Sequence, residues 1–205
     1  MKQQTDEWFA ARIGLVTASR ISDVMAVLKN GQEAATRKNY RAQLVAERLT
    51  GTKAESYSNA AMQWGTDNEP IARSAYEVDA GCFVDEVGFV PHPVIDGTGA
   101  SPDGLVEGEG LVEIKCPNTA THIDYLIANE VPSEYQYQML WQMECTGRKW
   151  CDFVSYDPRM PDDLQLFVIR FNFDEARVAT IRQSVLVFLD EIDSTIEKLN
   201  NWIKL

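Results

Sequence analysis

The chain has 205 residues, 45% of them hydrophobic, with five Trp, seven Tyr and eight Phe, which fills one sizeable core and argues against disorder. No apolar run approaches the roughly twenty residues of a membrane span, and the opening MKQQTDEWFAARIG lacks the apolar centre of a signal peptide, so a cytosolic location is the expectation. The net charge of −12 excludes a uniformly basic nucleic-acid binder.

Thr5 predicts a cap for a short helix reaching Arg12 and stopping at Gly14. Thr17 predicts a second, from Ala18 to about Lys29. A third runs from about Thr36 to Leu49, with Tyr40, Leu44, Val45 and Leu49 on one side and Gly51 as its stop. A fourth is expected from Asn59 through Tyr76, with a kink or break near Glu69 because Pro70 cannot continue the hydrogen-bond ladder. From Gly81 the pattern changes to short Val-, Phe- and Ile-rich runs bounded by Gly, Pro and Asp: 82–91, 99–106, 110–116, 149–156 and 164–171. Two helices, Ala120–Asn129 and Ser133–Cys145, interrupt them. A last helix opens at Asn172, with Glu175 as capping-box partner, and reaches about Trp202. Its stripe of Val178, Ile181, Val185, Phe188, Ile192, Leu199 and Trp202 faces either its own sheet or a partner. The order implies an α/β sandwich with a central mixed sheet flanked by helices. The chain reads as one domain, 1–205: a helical segment over residues 1–80, sheet and helices over 81–171, and a C-terminal helix over 172–205.

Charge is unevenly placed. Residues 1–53 hold nine Lys and Arg against five Asp and Glu, whereas residues 54–205 hold ten against twenty-six. Arg12, Arg20, Lys29, Arg37, Lys38, Arg41, Arg48 and Lys53 could form one basic wall of a cleft, or the solvated face of a helix. Cys82, Cys116, Cys145 and Cys151 contain no CxxC and suit neither zinc nor an iron–sulfur cluster, so they are expected as free thiols in the core. His92 and His122 read as structural or surface residues.

The densest chemistry lies in Ser101-Pro102-Asp103-Gly104-Leu105, followed ten residues after Asp103 by Glu113-Ile114-Lys115-Cys116-Pro117. Glu113 and Lys115 share one strand face. Gly108 and Gly110 allow the chain to turn back and set Asp103 beside Glu113. Two carboxylates so placed repel, and a hard divalent cation relieves the repulsion, while a lysine alongside can orient or deprotonate a water. The same residues can also be an ordinary Asp-Gly turn and a solvated strand face. Leu111, Val112 and Ile114 favour burial, where charged groups need a partner or a metal.

Five blocks in order, Trp8-x3-Arg12-x-Gly14-x2-Thr17-Ala18-Ser19, Trp64-Gly65-x3-Glu69, Gly99 to Gly104, Glu113 to Pro117, and Pro132-x2-Tyr135-x2-Gln138, make the chain resemble the phage lambda exonuclease and YqaJ-type viral recombinase family of PD-(D/E)xK nucleases. The resemblance spans about Trp8 to Tyr156. It implies a restriction-endonuclease-like fold and two-metal hydrolysis of DNA that depends on Mg²⁺, with Mn²⁺ as the substitute. Asp103, Glu113 and the Ile114 carbonyl would hold metal, Glu69 would assist, and Lys115 would act on the water. Tyr135 and Gln138, on one helix face that Gln142 extends, would hold the scissile phosphate or the water. Arg12 and Ser19, with Ser101, would bind DNA phosphate, helped by backbone N–H groups at a helix start. It further implies 5′-to-3′ digestion of one strand from a duplex end, a homotrimeric ring, a single-strand annealing partner, and a phage or prophage protein in bacterial cytoplasm. The rival readings are an endonuclease of the same fold, an iron–sulfur nuclease, which the cysteines disfavour, and a non-catalytic DNA-end binder.

Overall fold

The computed structural model describes residues 2–54 and 59–203. The elements are α1 (Asp6–Ala10), β1 (Val16–Thr17), a 3-10 turn (Ala18–Arg20), α2 (Ile21–Val24), α3 (Ala35–Thr50), α4 (Ala60–Ala80), β2 (Val84–Asp85), β3 (Val90–Pro91), β4 (Thr98–Ala100), β5 (Gly104–Val106), β6 (Gly110–Lys115), α5 (Thr119–Ala128), α6 (Ser133–Thr146), β7 (Trp150–Tyr156), a second 3-10 turn (Asp162–Leu164), β8 (Leu166–Asn172) and α7 (Glu175–Ile203). The predicted α/β class holds. Among the described residues, no helix is long and apolar enough to cross a membrane.

Among the described residues the strands form the expected mixed sheet and a smaller second one. A five-stranded sheet has the order β2-β5-β6-β7-β8, and a three-stranded one the order β1-β4-β3. In the larger sheet β6 and β7 run parallel, and the other neighbours antiparallel. The expected strands 82–91 and 99–106 are each split, because the chain crosses between the sheets at 86–89 and again at 101–103. The second crossing holds Pro102, which has no N–H to give a ladder.

β6 is the central strand, and its alternation sorts side chains to two cores. Val112 and Ile114 pack with Ala72 and Tyr76 of α4 on one face, while Leu111 packs into the larger cluster built on α6 and α7. Asp103 and Glu113 ride on the β5–β6 hairpin, whose left-handed turn residue is Glu107 rather than a glycine. Arg148 donates to the carbonyls of Glu107 (2.6 Å) and Val106 (3.3 Å) and holds this turn. Gly104 is needed for close approach, since a Cβ there would lie 2.0 Å from Val84 Cγ1.

Several helix ends differ from expectation. Thr5 caps α1 as predicted, accepting from Trp8 N–H at 3.3 Å. The second helix stops at Val24, not Lys29, because the chain turns back at Gly31 (φ +81°) and Arg37 takes the Val24 carbonyl. α4 runs unbroken through Pro70, since the missing N–H costs it one interior bond while its face stays packed on the sheet. α7 is capped by Asp174, which accepts from Arg177 N–H at 3.1 Å, while Asn172 still belongs to β8. Its buried stripe, Val178 to Ile192, faces α2, α3 and α6, leaving Leu199 and Trp202 exposed. Residues 204–205 of the expected helix lie outside the described ones.

All four cysteines are free, three of them buried, as expected. Both histidines are buried. His122 is fixed between Ser155 Oγ (2.7 Å) and the Leu164 carbonyl (2.8 Å), a structural role.

Candidate active site

The register that sets Gly104 opposite Val112 brings Asp103 alongside Glu113. Asp103 Oδ2 accepts from the Ile114 N–H at 2.7 Å. Glu113 is 0% exposed, so each of its oxygens requires a donor. Oε1 accepts from Lys115 Nζ and from Gln138 Nε2 (2.5 Å), and Oε2 from Gln142 Nε2 (2.6 Å). α6 supplies both glutamines four residues apart, one turn of a helix lying over the strand. Tyr135, one turn earlier, stacks on Phe153 and presents its ring 5.1 Å from Lys115 Nζ, so it packs the ammonium.

The electrostatics are those of crowded like charges. Burial and the neighbouring Glu113 push the Asp103 carboxyl well above the usual range. Burial works against the Lys115 ammonium, but Glu113 and Asp103 outweigh it and hold the lysine more firmly protonated than usual. The donor set fits a hard divalent cation, because the neighbouring Asp103 and Glu113 carboxylates are oxygen ligands whose mutual repulsion positive charge relieves.

Glu69 reaches this field from the other side of β6. It sits on α4, whose side chains pack against Val112 and Ile114. Burial pushes its carboxyl up, while Arg73 pulls the other way through an ion pair of 2.8 Å. Glu69 shares the electrostatic field of Asp103, Glu113 and Lys115, and among the described residues no three His, Cys, Asp or Glu side chains are grouped as a metal site. Burial and the charges of Glu69 and Asp103 push the Cys116 thiol up to about 12, which fits no nucleophilic role.

The expected phosphate residues meet in one cavity of about 170 Å³, lined by Arg12, Ser19, Ser101, Gln138 and Gln142 together with Trp8 and Gln3. Arg12 lies 3.8 Å over the Trp8 ring, its Nε is buried without a partner, and burial lowers its pKa. Trp8 Nε1 donates to Ser101 Oγ at 3.0 Å. The helix start expected after Thr17 is a three-residue 3-10 turn running into α2, with no side-chain cap, and its Ala18 and Ser19 line the cavity, while the Thr17 N–H is taken by Tyr40 Oη at 3.1 Å.

The basic wall is only partly formed. Arg37 and Arg41 pair with Glu33 and Glu191, and Arg48 with Asp193, so these charges bind α3 to the acidic α7. Arg12, Lys53 and Arg20, the last paired with Asp23 at 2.5 Å, line a second cleft of about 350 Å³ beside the phosphate cavity. Gln3 and the role of Trp8 were missed by sequence reasoning, whereas Gln142 was read as extending the Tyr135–Gln138 face and here holds Glu113 Oε2. Gln3 carries no local signal.

These geometries agree with what the chain is similar to. The model of the YqaJ-like viral recombinase domain matches residues 7–149. The alkaline exonuclease LHK-Exo of Laribacter hongkongensis is 52% identical over 98% of each chain, with a TM-score of 0.91. A structure of LHK-Exo in complex with dAMP is 53% identical over 98% of each chain, with a TM-score of 0.92. A phage-related exonuclease from Haemophilus somnus, 16% identical over 90% of this chain and 96% of that one, shares the fold with a TM-score of 0.74. No curated protein matches the sequence. With its match to the domain model covering most of its length and its two carboxylates and lysine assembled, the chain belongs to the YqaJ-like viral recombinase family and is an enzyme of the exonuclease type.

Proposed function

We propose that the chain is a single nuclease domain that digests one strand of linear double-stranded DNA from its 5′ end, with Mg²⁺, and leaves a 3′ single strand. The observation that carries this reading is adjacency: Gln138 and Gln142 hold Glu113 and also line the cavity of Arg12, Ser19 and Ser101. A terminal 5′ phosphate in the cavity would leave the next phosphate at Asp103, Glu113 and Lys115.

Asp103, Glu113 and the Ile114 carbonyl, supported by Glu69, would hold Mg²⁺ or Mn²⁺, which when bound supplies Lewis-acid stabilisation of the phosphate charge. The chain's own residues do the rest. Lys115, held charged by the acids, orients the attacking water and offsets developing negative charge; it is poorly placed to accept a proton. Gln138 and Gln142 fix the Glu113 carboxylate. Arg12, Ser19 and Ser101 set the register of the strand, so that the bond broken is P–O3′ and a 5′ mononucleotide leaves. The shortened strand then carries a fresh 5′ phosphate that fits the same cavity. LHK-Exo, 53% identical, is known in complex with dAMP, a 5′ mononucleotide of the kind this reaction would release.

An end-labelled duplex, with and without a 5′ phosphate, incubated with Mg²⁺ tests this. Mononucleotides from the phosphorylated 5′ strand are expected, with covalently closed circles left intact. Cleavage of such circles would favour the endonuclease reading, and end binding without hydrolysis the non-catalytic one. A ring of three subunits on DNA and a single-strand annealing partner belong to the same proposal, and sedimentation of the purified chain tests the ring.

A further inference from the structure

The chain crosses between the two sheets twice, at 86–89 and at 101–103, and the second crossing carries both Ser101 and Asp103. One side chain touches both crossings. Gln3 Nε2 donates to the Val87 carbonyl at 2.9 Å and to the Pro102 carbonyl at 2.8 Å. Both amide hydrogens are thereby used, each on a carbonyl that has left a strand ladder. Pro102 lies between the phosphate contact and the metal ligand, so this bond fixes the peptide that links them.

Two more observations place the N-terminal segment in the same role. Trp8, five residues on, donates to Ser101 Oγ at 3.0 Å, so the segment grips the crossing at consecutive residues. Between the two grips Gln4 adopts φ +62°, a left-handed conformation that a non-glycine residue keeps only where its surroundings hold it. Gln3 also lines the cavity of Arg12, Ser19 and Ser101.

We propose that Gln3 is a positioning residue: its side-chain amide staples the two crossings together and so fixes Ser101 relative to Asp103, setting the span between the bound 5′ phosphate and the scissile one. This rests on the exonuclease reading above. Gln3 touches no reacting atom in this role, and its effect passes through the backbone of residues 101–103.

The test compares the full-length wild type with Gln3→Met, which keeps the chain length but has no donor, and with Gln4→Gly, which relieves the left-handed strain and leaves the staple. Binding of 5′-phosphorylated and 5′-hydroxyl duplexes is measured by fluorescence anisotropy in EDTA, and single-turnover cleavage in Mg²⁺. Wild type is expected to prefer the phosphorylated end by about tenfold, the worth of one or two charge-assisted hydrogen bonds. Gln3→Met is expected to bring that ratio to near one and slow cleavage about tenfold, with its melting temperature within a few degrees of wild type. Gln4→Gly is expected to keep the wild-type ratio. If Gln3→Met does not fold, Gln3→Asn, whose amide is too short to reach both carbonyls, is put through the same readouts. A wild-type ratio in the variant, whatever its melting temperature, overturns the staple alone. A wild type that neither prefers phosphate nor cleaves overturns the exonuclease reading and the staple with it.

Discussion

Two aspartates at strand ends of the larger sheet have opposite fates. Asp157 follows β7 and is 0% exposed. Its oxygens accept from Arg159 Nε (2.7 Å), Arg159 Nη2 (2.9 Å), Arg159 N–H (3.0 Å) and Thr119 Oγ1 (2.6 Å). Burial alone would raise its carboxyl, yet these bonds bring it down to about 2. Asp103, just before β5, has one backbone donor at 2.7 Å and a like charge beside it, and its carboxyl is pushed well up. A satisfied acid holds architecture together: Arg159 also reaches the Pro117 carbonyl and stacks on Trp64 of α4. A frustrated acid stores affinity for positive charge, and that is what a metal-dependent site requires.

The largest expected effect tests the frustrated side. Asp103→Asn, or Glu113→Ala, is expected to lower the cleavage rate by about a thousandfold or more, because the ion loses a ligand. Asp103→Asn removes the repulsion too, so in EDTA its melting temperature is expected to rise by a few degrees. A fall in calorimetry would show that the acid was satisfied after all.

The second effect falls on substrate. Arg12→Glu is expected to weaken binding of 5′-phosphorylated ends by about 10- to 100-fold while Mn²⁺ binding, read by electron paramagnetic resonance, stays intact. Equal loss of both would place Arg12 in the carboxylate cluster instead.

Asp157→Asn breaks the satisfied side. It is expected to lose about 2 kcal/mol of stability in urea titration, discounted from a fully buried pair because Arg159 is half-exposed. Activity per folded molecule should remain within about twofold of wild type. The depressed carboxyl contributes stability that is complete above the unfolded value of about 4 and is lost as pH falls towards about 2.

The smallest effect is a shift with pH. Asp103 is raised, so its protonated form is the favoured one, and stability falls as pH rises through its folded value unless a cation is present. The rise in melting temperature given by Mg²⁺ is therefore expected to be larger at pH 8 than at pH 5. At limiting Mg²⁺, activity is expected to fall on acidification, with a midpoint that moves to lower pH as Mg²⁺ increases. A midpoint independent of Mg²⁺ would assign the titration elsewhere.

How much of this was legible depends on the range of the interactions. Asp103, Glu113 and Lys115 lie on one hairpin, so spacing and strand periodicity were enough to place them. Thr5 and Gly51 act within one turn and were readable as cap and stop, and Asn59, read as the start of the fourth helix, is its cap. The two-residue strands β2 and β3 were not, because a crossing between sheets leaves no periodic pattern in so few residues. Asp174 outcompeted Asn172 as a cap because β8 claims Asn172 as the partner of Trp150. For Arg37, Arg41 and Arg48 the sequence left a cleft wall and a solvated face open, because, Glu33 apart, their acidic partners lie far along the chain, at separations of 154, 150 and 145 residues.

The hairpin that carries the acids has a consequence for how the molecule assembles. Its strands are joined by a turn of three residues, 107–109, so it can close on the microsecond scale of local structure. The glutamines of α6 that quiet Glu113 lie 25 and 29 positions further on and arrive later. Magnesium added during refolding is therefore expected to speed the first phase, by shielding two acids that meet before their hydrogen-bond partners exist.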